Sequence, residues 1–142
     1  MIQVIVTGHG NFASGMLSAL KLIAGESEHI HGIDFLESFS TEDLKEKMQE
    51  MIESVNGEIV IAADLVGGSP YNVAVTLMTE FTDKEIKVIA GVNFPTILSS
   101  VFADRDVALD VFVKNIMDEG MSAFSEFKPV SMKMCEEEED GI

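Results

Sequence analysis

Short apolar runs alternate with amphipathic segments along most of the chain, the pattern of strands feeding crossover helices. The run at Gln3–Val6 predicts a first strand. Phe12, Met16, Leu20 and Ile23 recur at helical spacing and predict a helix over about 11–24, with Gly25 at its stop. His29–Leu36 predicts a second strand. The stretch SFSTED then offers capping side chains and early negative charge to the clearest helix in the chain. In that helix Leu44, Met48, Met51, Ile52 and Val55 share one stripe, and Asn56-Gly57 ends it. The unbroken apolar stretch in EIVIAAD predicts a third strand buried on both faces, as in a parallel sheet. Ser69 is placed to cap, and Pro70 to open, a helix reaching about Phe81. KVIAGV predicts a fourth strand, NFPT leads into a short helix, and a last helix covers about 106–124.

The expected architecture is a single α/β domain over residues 1–130: an open, mainly parallel sheet in the order 2-1-3-4, helices on both faces, and right-handed crossovers. Phe127–Met134 is open between a further strand, an ordered arm and irregular chain. Residues 131–142 contain the like-charge block CEEEEDGI and are expected to form an acidic, solvated, flexible tail.

Composition narrows the function. The 142 residues are 46% hydrophobic, yet no run approaches the roughly 20 apolar residues that span a bilayer. The N-terminus lacks the features of a secretory signal, so a soluble, cytoplasmic protein is expected. Cys135 is the only cysteine, which excludes an intrachain disulfide and a cysteine metal cluster. The formal charge of -16, from 25 acidic and 9 basic residues, argues against nucleic acid and anionic membranes and favours partners that are basic where they meet the chain.

Candidate chemistry starts at VIVTGHGNF, where an apolar run stops at a histidine between two glycines. In an open α/β sheet, ligands bind beyond the carboxyl ends of the strands, where the strand order reverses. With the order 2-1-3-4, His9 after strand one and Asp64 after strand three flank that point, and Asn93 after strand four lies on the same rim. A carboxylate accepting one imidazole N–H fixes the tautomer and leaves the other nitrogen nucleophilic. Beside the pair, GGSP opens a helix whose free N–H groups and dipole favour an anion, with Gly67 and Gly68 allowing close approach. A nucleophilic nitrogen, an orienting carboxylate and an anion nest suit reversible phosphorylation of histidine better than hydrolysis. GGSPY lacks the closing glycine of a G-x-S-x-G elbow. GHGNFA lacks the third glycine of a dinucleotide fingerprint, and GHGNFASG lacks a Walker lysine.

Each of these features alone has an ordinary structural explanation: a turn for His9, a cap for Asp64, a helix start for GGSP. Their convergence on one rim gives them weight. His29 and His31 alternate on one strand face without a third ligand nearby and read as surface or rim residues. The Met-rich stripe of the second helix reads as core. Asp34 reads as lying too far along the rim to join the site.

The motifs VTGHG, AADLVGGSPYN and VIAGVNFP, in that order, resemble the IIA component of the mannose family of the bacterial phosphoenolpyruvate:sugar phosphotransferase system, over roughly Met1 to Phe127. The resemblance implies that His9 accepts a phosphoryl group from the phosphohistidine of HPr and passes it to the IIB component, serving membrane IIC and IID components indirectly. It implies that Asp64 holds the ring nitrogen that is not phosphorylated, and that the amides of Leu65–Ser69, with the Ser69 hydroxyl, hold the phosphoryl oxygens. No cofactor or metal is implied. Many relatives carry threonine where this chain has Leu65, so one hydroxyl is missing here. The family also forms homodimers that exchange a C-terminal strand, for which Phe127–Met134 is the candidate. Two other readings stand beside this one: the phosphoryl-donor subunit of a phosphoenolpyruvate-dependent dihydroxyacetone kinase, and a non-catalytic α/β module binding a small anion or nucleotide.

Overall fold

Along the central strands, side chains alternate between two sides of a sheet, and both sides are buried. The computed structural model describes residues 1–130. Four parallel strands, β1 (Gln3–His9), β2 (Ile30–Phe35), β3 (Ile59–Ala63) and β4 (Ile86–Ala90), form a sheet in the order β2-β1-β3-β4. Val4, Val6, Val60 and Ala62 face one layer, made of α1 (Phe12–Ala24), α4 (Phe94–Phe102) and α5 (Leu109–Ser122). Ile5, Ile59 and Ile61 face the other, made of α2 (Thr41–Ser54) and α3 (Ser69–Glu80). The helices following β1 and β3 therefore lie on opposite faces, which opens a crevice between the carboxyl ends of these two neighbouring strands. The α/β class, the strand order and the two helical layers are those expected.

Elements differ from expectation at single positions and in bounds. In α1 the buried residues are Ala13 and Leu20, while Ile23 is 63% exposed. Phe12, Met16 and Leu20 pack on the core as expected, joined by Ala13, Leu17 and Ala24, and the small Ala13 and side-chain-free Gly32 let the helix settle close to β2. The α2 stripe is as expected, with Leu44, Met48 and Ile52 fully buried. Ser40 and Asp43 form a reciprocal capping box at its start, and Lys84 Nζ donates to the Ile52 and Val55 carbonyls at its end. The last helix begins at Leu109, not near Asp106, because 104–106 form a turn in which the Asp106 N–H donates to Asp104 Oδ1.

Within the described residues, Phe127–Val130 form no strand; the rest of the candidate segment, Ser131–Met134, and the acidic tail lie outside them. No described helix is long and apolar enough to cross a membrane.

Asn93 does not join the rim chemistry. Its Oδ1 accepts from the Thr96 N–H and hydroxyl, and its Nδ2 donates to the Gly120 carbonyl, so it caps α4 and ties it to α5. The approach is close enough that a Cβ on Gly120 would collide with Thr96 Oγ1 and Asn93 Oδ1. Gly120→Ala should lower unfolding stability by about 1–3 kcal/mol in denaturant titration, the cost of overpacking a fitted contact. An unchanged midpoint would contradict the packing described.

Candidate functional site

His9 is the last residue of β1, and Asp64 is the first residue after β3, its N–H donating to the Thr7 carbonyl. The parallel register that pairs Thr7 with Ala63 brings the two residues together although 55 positions separate them. Asp64 Oδ2 lies 2.8 Å from His9 Nδ1 and also accepts the His9 backbone N–H at 2.9 Å, while Oδ1 accepts the Leu65 N–H at 2.9 Å. Burial of the Asp64 carboxyl pushes its pKa up, but the hydrogen bonds from the His9 N–H, the His9 ring and the Leu65 N–H outweigh it and leave the pKa below the ordinary carboxylate value. The group is thus ionised near neutral pH. An ionised carboxylate only accepts, so the facing Nδ1 carries the proton and the neutral ring keeps its lone pair on Nε2.

The rest of the ring is placed by two loops. Gly10 has φ +58°, a left-handed conformation that favours glycine, and its N–H donates to the Phe35 carbonyl at 2.7 Å. This turns the chain back on the end of β2 and sets the His9 ring edge-on to Phe35, with centroids 5.9 Å apart. Gly8 serves packing: a Cβ there would meet the Phe12 side chain. On the other side Gly68, the N-cap of α3, lies against the imidazole, so that a Cβ on it would come within 2.7 Å of Cε1 and 3.4 Å of Nε2. Space beside the ring is thus kept by Gly68, while a Cβ on Gly10 would meet nothing within 4 Å. His9 keeps 48% of its side chain exposed while that of Asp64 is only 10% exposed, so the ring faces outward from an anchored carboxylate.

The stretch expected to receive an anion leads from Asp64 into α3 through a fixed turn. Gly67 has φ +85°, and its carbonyl accepts from Asn72 Nδ2, which pins the turn leading into α3. The cap of α3 is Gly68; Ser69 is its first helical residue, and its hydroxyl makes no hydrogen bond to another described residue. Of the amides expected on an anion, that of Leu65 is turned onto Asp64 Oδ1, because the aspartate side chain reaches its own next N–H. Gly67, Gly68 and Ser69 lie at the positive end of the α3 dipole. Leu65 and Val66 stand exposed beside them.

His29 and His31 belong elsewhere. Gln3 bridges them, its Nε2 3.1 Å from His29 Nδ1 and its Oε1 2.9 Å from His31 Nε2, at the opposite end of the sheet. Burial, and the nearby His29, lower the pKa of His31. Among the described residues no cluster of three or more His, Cys, Asp or Glu has metal-binding geometry. Asp34, set aside in the sequence as too far along the rim, pairs with Gly8 and accepts the Ser14 N–H, while Phe35 and Asn72 were not singled out. Asn72 was visible as the last residue of GGSPYN, but its role depends on a carbonyl five positions earlier.

Residues 3–117 match the family model EIIA-man, described as "PTS system fructose IIA component". The chain is 28% identical over 126 residues to the fructose-specific EIIA component of Bacillus subtilis strain 168, covering 87% of this chain and 85% of that one. It is 30% identical over 131 residues to the mannose-specific EIIAB component of Escherichia coli K12, which covers 89% of this chain but only 40% of the longer relative. The crystal structure of a phosphotransferase system component EIIA from Streptococcus agalactiae superposes with a TM-score of 0.84 at 35% identity, over 89% of this chain and 98% of that chain.

The carboxylate-imidazole geometry is directly observable. In 15N NMR at a pH where the ring is neutral, His9 should show the Nδ1–H tautomer almost alone. Asp64→Asn should shift it toward a tautomer mixture while the protein stays folded. A wild-type ring already divided between tautomers would contradict the hydrogen bond as described.

Proposed function

Because this chain belongs to the EIIA-man family of the phosphoenolpyruvate:sugar phosphotransferase system, the phosphoryl carriers of sugar uptake, we propose that it is a cytoplasmic phosphohistidine carrier. It takes a phosphoryl group from phospho-HPr onto His9 and passes it to a IIB component. The observation that carries this reading is the hydrogen bond between His9 Nδ1 and Asp64 Oδ2, which leaves Nε2 free on the edge of the ring beside Gly68.

In the proposed transfer, the Nε2 lone pair attacks phosphorus as the N–P bond of the donor histidine breaks. The donor imidazole leaves with the bonding pair. Nδ1 keeps its proton throughout, so the phosphorylated ring gains positive character, and the ionised Asp64 is already in place to balance it. The backbone at Gly67, Gly68 and Ser69 and the Ser69 hydroxyl receive the phosphoryl oxygens. The second half-reaction is the reverse exchange, with a IIB nucleophile in line. Little covalent work falls to the protein; positioning and charge do most of it.

The half-exposed ring, with Leu65 and Val66 standing out beside it, suits chemistry that takes place between two proteins. The acidic balance of the chain suits a donor with a basic docking face. Support for a homodimer comes from the apolar surface left by Met121, Phe124 and Phe127 at and beyond the end of α5.

Incubation with phosphoenolpyruvate, Enzyme I and HPr should yield one acid-labile phosphoryl group per chain, and addition of a cognate IIB should discharge it. His9→Ala should take no label. A label that persists in that variant would overturn the assignment of His9, and a wild-type chain that takes none would overturn the function.

A further inference from the structure

α1 begins three residues after His9, yet nothing in its own loop caps it. Asn11 occupies the N-cap position with no side-chain hydrogen bond, and the first turn contains no acidic residue. The N–H of Ser14, one of the donors a helix start leaves unpaired, is taken instead by Asp34 Oδ1 at 2.9 Å, from the end of β2. Asp34 pairs with Gly8 in the parallel register, and the next residue, Phe35, pairs with His9. Phe35 in turn accepts the Gly10 N–H and packs against the imidazole.

Two successive residues of β2 therefore grip both sides of the short connection from His9 to α1: Phe35 at Gly10, and Asp34 at Ser14. Asp64 pins one ring nitrogen from β3, but a single hydrogen bond leaves the ring free to swing about it. What limits that swing on the β2 side is Phe35, and its distance from the ring depends on the loop staying closed against β2. We propose that Asp34 is a positioning residue for His9, holding the start of α1 on β2 so that the imidazole stays fixed between Phe35 and Asp64 with Nε2 facing outward. The proposal rests on His9 being the phosphoryl acceptor. It assigns Asp34 no contact with the phosphoryl group. Near-attack geometry is sensitive to displacements on the ångström scale, so losing this clamp acts on the transfer step more than on docking.

The test uses the full chain with Asp34→Ala and Asp34→Asn. The asparagine Oδ1 can still accept the Ser14 N–H. Asp34→Ala should lower kcat for phosphoryl uptake from phospho-HPr about ten-fold, with KM changed less than two-fold, at a temperature where circular dichroism shows the variant folded. Asp34→Asn should recover most of the rate. In 15N and 1H NMR, Asp34→Ala should weaken the contacts between the His9 and Phe35 rings and speed amide exchange at Gly10 and Ser14. An unchanged kcat in Asp34→Ala, or an Asp34→Asn as slow as the alanine variant, would overturn the proposal. If the wild-type chain takes no phosphoryl group, the functional reading fails, and the ring contacts and amide exchange still decide whether Asp34 positions His9.

Discussion

The site depends on one saturated carboxylate. Asp64 accepts the backbone N–H and ring N–H of His9 on one oxygen and the N–H of Leu65 on the other, so the same group ties β1 to β3 at their carboxyl ends and sets the protonation pattern of the imidazole. A carboxylate with hydrogen bonds of this number resists protonation, and its charge is in place before any reaction begins. Removing it would unfasten the rim and free the tautomer together.

Around that anchor, the doubly wound order does the placing. β1 and β3 are neighbours whose following helices lie on opposite faces, and this leaves an uncovered crevice where His9 and Asp64 meet. α3 opens beside the crevice and presents Gly68 to the ring, while β2 closes the other side through Phe35. The imidazole is held at Nδ1, flanked on two sides, and half exposed.

Much of this was legible in the chain itself. The strands announce themselves as apolar runs of β-branched residues, and His9 and Asp64 stand out because each interrupts such a run where a parallel sheet collects its ligands. The place of Ile23 in α1 was not legible. Periodicity scores Ile23 as core because it is apolar, whereas packing prefers the small Ala13 over Gly32, and Ile23 is left in solvent. The roles of the loop residues were hidden for a related reason: they act through main-chain groups distant in sequence. Asp34 accepts from Ser14, twenty residues before it in the first turn of α1, and Gly8 makes room for Phe12. The bond from the Leu65 N–H to Asp64 Oδ1 was hidden too, because it depends on how the aspartate side chain turns.

The central claim is that Asp64 directs chemistry to one of the two ring nitrogens. The most direct measurement is NMR of 15N-histidine-labelled protein phosphorylated through phosphoenolpyruvate, Enzyme I and HPr. The account predicts a one-bond 31P–15N coupling at His9 Nε2, with Nδ1 still bearing its proton. Coupling at Nδ1 would require the bond to Asp64 to be broken and would contradict it.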